Sequence, residues 1–399
     1  MKKILFTKTN YFVEMLNYYL LVSRVGEISM AKQSPLHKIH EELNAKFTEF
    51  AGFTMPLQYS SMKEEHLQVR RTVGLFDVSH MSNVWITGKD AEALLSLTTI
   101  EDAARIEVNK SQYTAILRDD ATIIDDTIFM HIEDDRFMMI PNAGMDEIVS
   151  SWLSKQVKKQ GFSAKVENVS ENYVIIAVQG PKSKDTLQQL TDINLDTIGF
   201  FACQTITLAG QECIISHTGY TGELGYELQI SSVEHASLVY KKILEIGKQY
   251  EITPIGLGAR DTLRLEKCFL LAGNEFEGGR TPLEAVMGWA INWDHEFIGK
   301  QSLLNQKDDG TFQRLTCLEC NTKGIPRHGS TVEKGGSVVG LVSSGTLSPC
   351  LNKGIALAYV DHDVREVGST LDINIRGRNM EATVVKSPFV KKDWLASQG

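Results

Sequence analysis

The chain has 399 residues, of which 42% are hydrophobic and 23% are charged, a composition typical of a globular protein with room for two or three domains. Its formal net charge of −9 at pH 7 argues against a nucleic-acid partner and against binding to an anionic membrane surface. No apolar run approaches the roughly 20 residues that a membrane-spanning helix needs, so no membrane association is expected.

The N-terminal extension, residues 1–33, is predicted to lie outside the folded domains. Lys8, Asn10 and Glu14 interrupt its apolar stretches, which is unlike the continuous apolar core of a secretory signal. Met30 begins a segment that looks like a natural start. We therefore expect either a disordered lead-in or a mis-assigned start of the gene.

Residues 34–296 combine helical and strand patterns. Apolar residues at three- and four-residue spacing from Leu36 to Phe50 predict one helix. Further along, a meander of three strands precedes a second helix, over residues 112–117, 123–131, 136–140 and 145–159. Because helices and strands then continue without strict alternation, this region is predicted to be α+β rather than a doubly wound sheet.

Residues 297–399 show a different pattern. Short strands separated by Gly, Pro, Asn and Asp turns run through this part of the chain, and no helical pattern of any length is present. We predict a separate all-β domain, either a barrel or a jelly-roll-like sandwich.

The six cysteines do not form a disulfide framework, and Cys317 and Cys320 make a lone CxxC. A zinc site needs a second such pair or a nearby pair of histidines, so no metal site is predicted and the thiols are expected to be reduced, as in an intracellular protein. The phosphate-binding loop, the zinc-protease HExxH and the hydrolase GxSxG are also missing, which disfavours phosphoryl transfer and hydrolysis by zinc or serine.

Four places carry groups capable of chemistry. Arg260 lies near the start of a predicted helix, where a cation is unfavourable, and is compensated either by an ion pair with a neighbouring carboxylate or by a polar ligand. His80 is either a base or a hydrogen-bonded structural histidine. The acidic pair Glu101 and Asp102 is either a solvated turn or part of a pocket. Glu227 ends a glycine-rich turn, and its carboxylate suits a ligand with adjacent N–H donors.

Seven sequence blocks, in order along the chain, carry a resemblance to one family. They are LFDVSHM (75–81), TGYTGE (218–223), GLGARDTLRLE (256–266), GNE (273–275), TPLE (281–284), FIGK (297–300) and SGTLSP (344–349). From about Leu36 to Val390 the chain resembles the T-protein, or aminomethyltransferase, family of the glycine cleavage system. Iron–sulfur-assembly relatives on this fold carry a KGCYxGQE-like segment that is missing here.

The resemblance implies a three-lobed cloverleaf around a central folate channel. Two mixed α+β lobes would lie within residues 34–296 and a β lobe within residues 297–399. The implied reaction transfers the aminomethyl group on the lipoyl arm of H-protein to tetrahydrofolate. Ammonia, 5,10-methylenetetrahydrofolate and dihydrolipoyl H-protein are released, without a metal, in the cytoplasm or in the mitochondrial matrix of a eukaryote.

The resemblance also implies roles for individual residues. Asp102 matches an aspartate that lies beside the reacting folate nitrogens, where protons must be moved and a developing cation stabilised. Six residues match folate-site positions of the family: Glu227, Arg260, Met55, Tyr113, Asn142 and Trp394.

Three departures from the family pattern affect these expectations. The segment Thr98–Asp102 is one residue longer than the TTND of the family, so Glu101 competes with Asp102 for the catalytic position. Ala121-Thr122 replaces two glycines before Ile-Ile-Asp-Asp, and Trp394 replaces a tyrosine. The alternatives are a tetrahydrofolate-dependent demethylase of a small methylated sulfonium or amine, and a non-catalytic folate-binding assembly factor.

Overall fold

A computed structural model of the protein describes residues 31–391, so most of the predicted N-terminal extension lies outside the described residues. A two-residue strand, Lys32–Gln33, comes first. The α-helices of the described part are α1 (His37–Glu42), α2 (Met62–Arg71), α3 (Ala91–Thr98), α4 (Asp146–Gln160), α5 (Ser183–Leu187), α6 (Val233–Gly247), α7 (Leu257–Glu266), α8 (Ala272–Glu275) and α9 (Lys300–Asp309).

The first lobe is built on a five-stranded antiparallel sheet. In spatial order its strands are Lys110–Leu117, Ile123–Glu133, Arg136–Ile140, Val84–Thr87 and Lys165–Asn168. Helices α3 and α4 cover one face, where Leu94, Phe129 and Leu153 are fully buried in a common core. The predicted meander of three strands is present, since local alternation of apolar and polar residues specifies antiparallel neighbours.

The second lobe is built on a six-stranded sheet. Its spatial order is Cys203–Leu208, Gln211–Ser216, Gly225–Ile230, Val174–Gln179, Gly74–Asp77 and Thr253–Ile255. The last pair runs parallel and the others antiparallel. Helices α1 and α6 bury Ile39, Val239 and Ile243 in the same core as the sheet residues Ile176 and Leu228.

The third lobe is a closed six-stranded barrel. Around the barrel the strands are Arg314–Cys320, Lys353–Val360, Ser337–Ser348, Thr331–Lys334, Thr370–Ile375 and Arg378–Val385. The end of α7 packs against it, with Leu265 in a shared apolar cluster beside Leu315 and Ile355. The predicted α+β class and the C-terminal barrel are confirmed; the division at residue 297 stays a prediction.

Two predicted elements were wrong. The helix predicted from Leu36 to Phe50 ends at Glu42, and its second half is a strand, Lys46–Phe50, paired with Phe53–Gln58. Phe47 and Phe50 match helical spacing, but the strand Phe53–Gln58 supplies backbone partners that outweigh this weak local preference. Beyond residue 297, where no helix was expected, α9 forms between two glycines and buries only Leu303, too little to produce a detectable apolar stripe.

No helix within residues 31–391 combines the length and the apolar character that crossing a membrane requires.

Candidate functional site

The parallel edge strand Thr253–Ile255 leads directly into Gly256, the residue before α7. The buried Glu65 carboxylate accepts hydrogen bonds from the backbone N–H groups of Gly256 at 2.8 Å and of Tyr59 at 2.7 Å. A Cβ atom on Gly256 would lie 2.2 Å from the carbonyl oxygen of Leu57, so only glycine allows this approach. The start of α7 is therefore fixed, and Arg260 follows one turn later.

Arg260 is held by an aromatic ring rather than by an ion pair. Its guanidinium carbon lies 4.4 Å from the centre of the Tyr220 ring. The neighbouring carboxylate of Asp261 pairs instead with Arg264, at 2.9 Å between Oδ1 and Nε, so this form of the ion-pair alternative is not observed. Burial lowers the pKa of Arg260, while the charges of Tyr220 and Glu227 raise it. The guanidinium N–H groups therefore remain available to a ligand.

Glu227 lies close enough to Arg260 to influence it. Its carboxylate accepts a hydrogen bond from the hydroxyl of Thr218, which in turn contacts the Ser216 hydroxyl at 2.7 Å. Burial raises the pKa of Glu227, and the Thr218 hydrogen bond and the Arg260 charge lower it. An acceptor from the strand Gly225–Ile230 and a donor from α7 thus face one region, as the recognition of a heterocycle edge requires.

Tyr220 connects this donor–acceptor pair to the turn after α7. Its hydroxyl donates to the carbonyl oxygen of Leu270, and its ring stacks on Phe269 with centroids 5.9 Å apart. Arg260 lies against the same ring. The conformation of residues 269–270 therefore determines where the Tyr220 ring and Arg260 sit.

A second group of buried side chains is a carboxylate cluster. Tyr113 donates its hydroxyl to Oδ2 of Asp126 at 2.7 Å, and Nδ2 of Asn142 lies 2.8 Å from Oδ1 of Asp126 and 2.8 Å from Oδ1 of Asp125. Burial raises the pKa of Asp126 to about 6, despite the hydrogen bonds from Tyr113 and Asn142 that lower it. Burial and the charge of Asp126 raise the pKa of Asp125 well above its usual range.

The carboxylate cluster and the Arg260 region influence each other electrostatically through Tyr220. Burial is the main cause of the raised pKa of Tyr220, and the charge of Asp126 contributes to it. Burial likewise raises the pKa of Tyr113, and the charge of Tyr220 contributes to that increase. Trp289, which is 74% exposed, stacks on Tyr113 with centroids 5.8 Å apart and planes 15° from parallel. The site therefore has a solvent-facing aromatic border at Tyr113 and a buried carboxylate behind it.

The predicted catalytic pair has local partners. Asp102 accepts hydrogen bonds from the Ser96 hydroxyl at 2.9 Å and the Ala104 backbone N–H at 3.1 Å, the arrangement of a helix cap. Glu101 accepts from Nδ2 of Asn292 at 2.9 Å and from the backbone N–H of Asp102. These contacts connect neither carboxylate to Asp126, and the catalytic role of Asp102 stays a prediction.

The remaining sequence candidates are distributed as follows. Met55 is fully buried in the strand Phe53–Gln58, and Trp394 lies outside the described residues. His80 is only 2% exposed, and among the described residues neither ring nitrogen has a hydrogen-bond partner, so the expected hydrogen-bonded histidine is not observed. Burial and the Arg260 charge lower the pKa of His80 to about 3, which leaves a neutral ring.

Sequence reasoning did not name Asp125, Asp126 and Trp289 as candidate site residues. The available signal was the pair of adjacent aspartates inside the otherwise apolar strand Ile123–Glu133. Two carboxylates within a buried strand require special partners, and that pattern indicates a functional site more strongly than an acidic turn does.

A group of charged side chains contacts Glu266 at the C-terminal end of α7. Arg70, only 1% exposed, contacts Glu266 and Glu223, each at 2.9 Å. His66 and Cys350 also converge on Glu266, a set that contains potential metal ligands. Because the Arg70 guanidinium bonds to the same Glu266 oxygen that His66 contacts, the geometry is that of an ion-pair network.

Comparison with known proteins places this geometry in a family. The family model for the GCVT N-terminal domain matches residues 36–295, and that for the glycine cleavage T-protein C-terminal barrel domain matches residues 313–391.

Aminomethyltransferases of Halothermothrix orenii and Flavobacterium psychrophilum are 41% and 40% identical to the chain. Each match covers 90% of this chain and 100% of the relative. The crystal structure of glycine cleavage system aminomethyltransferase T from Bartonella henselae superposes with a TM-score of 0.85 at 31% identity, covering 91% of this chain and 99% of that one. The chain therefore belongs to the glycine cleavage T-protein, or aminomethyltransferase, family.

Proposed function

We propose that this chain transfers the one-carbon unit of aminomethyl-lipoyl H-protein to tetrahydrofolate in glycine cleavage. The products are ammonia, 5,10-methylenetetrahydrofolate and dihydrolipoyl H-protein, and the proposed location is the cytoplasm, or the mitochondrial matrix in a eukaryote. The observation that carries the proposal is the buried Asp126, hydrogen-bonded to Tyr113 and Asn142, in a member of this family.

The side chains of the site suit a reduced pterin. A pterin edge presents adjacent N–H donors beside a carbonyl oxygen, which match the Glu227 carboxylate and the Arg260 guanidinium. Tyr113 and the exposed Trp289 offer apolar ring faces at the border of the site. Met55, Asn142 and Trp394 remain proposed folate contacts from the family resemblance.

We assign the proton transfer to Asp126. The two folate nitrogens that bond to the transferred carbon, N5 and N10, each lose a proton, and the amine and the thiolate that leave each gain one. Asp126 is a suitable acceptor because two hydrogen-bond donors orient its oxygens and burial brings its pKa close to physiological pH. Asp102, the candidate from sequence, has the contacts of a cap, so it serves as the matched comparison.

The reaction is tested by following ammonia release from aminomethyl-lipoyl H-protein. Release should be strongly stimulated by tetrahydrofolate and accompanied by stoichiometric methylenetetrahydrofolate. Release without folate stimulation contradicts the proposal. Demethylation of small sulfonium or amine donors with no turnover of the H-protein substrate would instead support the demethylase alternative.

Replacing Arg260 by methionine or Glu227 by glutamine should each weaken tetrahydrofolate binding. Loss of a hydrogen bond to a charged group costs about 1.5–3 kcal/mol, or roughly 10- to 150-fold in affinity. Isothermal titration calorimetry measures the effect. Arg136 lies outside the candidate site, with its guanidinium carbon 4.2 Å from the centre of the Trp85 ring. Arg136→Met is therefore the matched control and should bind tetrahydrofolate with wild-type affinity. Equal affinity in Arg260→Met and wild type would show that the pterin does not bind at α7.

The pH dependence of the reaction should show an acidic limb from Asp126. Its pKa is raised to about 6, and the ionised form is the proton acceptor, so kcat/KM is expected to fall as the pH decreases through about 6. Pre-steady-state assays at constant ionic strength measure this profile. The residual activity of Asp126→Asn should lack the limb; an unchanged limb in that variant would assign it to another group.

A further inference from the structure

Two cysteine side chains that the proposed mechanism does not use meet where α7 ends against the barrel. Cys268 lies two residues beyond the end of α7, and Cys317 lies in the barrel strand Arg314–Cys320. Both are free thiols, and their Sγ atoms are 3.4 Å apart. Moving the two sulfurs closer by less than 1.5 Å would reach the roughly 2.05 Å of a disulfide bond.

The two thiols differ in the way that stepwise oxidation requires. Cys268 is half-buried, whereas Cys317 is only 8% exposed. The hydrogen bond from the Cys317 thiol lowers the pKa of Cys268, assisted by Ser387 and the Phe389 backbone. Thiolate character and access together make a cysteine reactive toward oxidants, and an adjacent thiol resolves the product.

We propose that Cys268 and Cys317 form a reversible redox pair that a hydroperoxide converts to a disulfide. The Cys268 thiolate attacks a peroxide oxygen; the O–O bond breaks, giving a sulfenic acid and hydroxide, which takes up the released proton as water. The Cys317 thiol then displaces the sulfenic hydroxyl as a second water, forming the S–S bond. Two thiols are oxidised by two electrons, and one peroxide is reduced to two waters.

A disulfide bond between Cys268 and Cys317 would affect the proposed folate site through the turn that follows Cys268. Phe269 stacks on Tyr220, and the carbonyl oxygen of Leu270 accepts the Tyr220 hydroxyl, while Arg260 lies on the same ring. Cys268 has a φ of 61°, in the left-handed region, so the turn is already conformationally constrained. Drawing Cys268 toward the barrel displaces these contacts, and we expect weaker folate binding. This second step rests on the proposed function.

Peptide mapping of the full-length protein tests the pair without any variant. The protein is treated with hydrogen peroxide, quenched with catalase, alkylated and digested without reduction. We expect a mass loss of two hydrogen atoms, a fall in free thiols from six to four, and one cross-linked peptide joining Cys268 to Cys317 that dithiothreitol removes. Six surviving thiols, a different cross-link, or sulfinic acid without a cross-link would overturn the proposal.

Variants then connect the pair to the site. Cys268→Ser should abolish the cross-link, and Cys320→Ser, on the same strand as Cys317, should retain it. Oxidised wild type should bind tetrahydrofolate several-fold more weakly and recover on reduction, with no response in Cys268→Ser. If the cross-link forms but affinity does not change, the coupling to the site is wrong. If reduced protein does not bind folate, the proposed function fails while the mapping still decides the redox pair.

Discussion

The Asp126→Asn enzyme is expected to lose about 10²- to 10⁴-fold in turnover, the usual contribution of a positioned proton-transfer group. The amide cannot accept the proton, but it has nearly the same shape: its oxygen can still accept from Asn142, and its NH2 group can donate to the Tyr113 hydroxyl oxygen. Tetrahydrofolate affinity should therefore remain near the wild-type value. Single-turnover ammonia release and calorimetry separate the two quantities.

Stability provides an internal control for this variant. A carboxyl whose pKa is raised on folding destabilises the native state increasingly as the pH rises from the unfolded pKa, about 3.9, to the folded one, about 6. Asparagine removes that cost, so Asp126→Asn should be at least as stable as wild type at pH 7.5. If the proton acceptor is Asp126, as proposed, Asp102→Asn should keep most of its activity. Full activity in Asp126→Asn with loss in Asp102→Asn would restore Asp102 as the catalytic group.

Replacing Arg70 by methionine is expected to reduce the free energy of unfolding by about 3–5 kcal/mol, the usual cost of removing one partner of a buried ion pair. Arg70 is 1% exposed, and the Glu266 carboxylate that it contacts is fully buried. Its guanidinium also donates to the backbone carbonyl oxygens of Thr221 and Leu263, which would lose these partners. Urea unfolding followed by far-ultraviolet circular dichroism measures the change.

Arg71 supplies the matched control, because it is the next residue of α2 and is exposed. Arg71→Met should alter stability by no more than about 0.5 kcal/mol. Hydrogen bonding from His66 and the charges of His66 and Arg70 overcome the effect of burial and lower the pKa of Glu266 to about 2. The stabilisation from this carboxylate is therefore present above its unfolded pKa and should be lost as the pH falls toward 2. Equal losses in the two arginine variants would contradict the assigned role of the ion pair.

Local pattern predicted those parts of the fold that depend on neighbours in sequence. The meander around Ile123–Glu133 and the helix α4 follow from alternation and helical periodicity, and short strands between turn residues indicated the barrel. The strand Lys46–Phe50 was misread because its phenylalanines satisfy helical spacing, and its pairing with the strand Phe53–Gln58 leaves no trace in that spacing. Strand pairing across distant segments, such as Thr253–Ile255 with Gly74–Asp77, has no local signal.

The candidate site was predicted only in part, because its side-chain contacts join residues that are distant in sequence. Tyr113 and Asn142 were named from the family resemblance, and the structure places the carboxylate of Asp126, which the sequence did not single out, between them. The catalytic role of Asp102, which follows an insertion of one residue, stays a prediction. The ring contact between Arg260 and Tyr220 joins residues on a helix and a turn, and no spacing rule relates them. Side-chain partners of this kind depend on packing that only the three-dimensional structure displays.

The parallel pairing of Thr253–Ile255 with Gly74–Asp77 also orders events during synthesis of the chain. The five-stranded lobe uses only residues 84–168 for its strands and can assemble while later residues are still on the ribosome. The six-stranded sheet stays open at one edge until residue 255 emerges, because its last strand closes a loop of more than 170 residues. The strand Gly74–Asp77 of the nascent chain thus lacks its parallel partner until residue 255 has been made, and α7 with Arg260 is positioned only when that edge is covered.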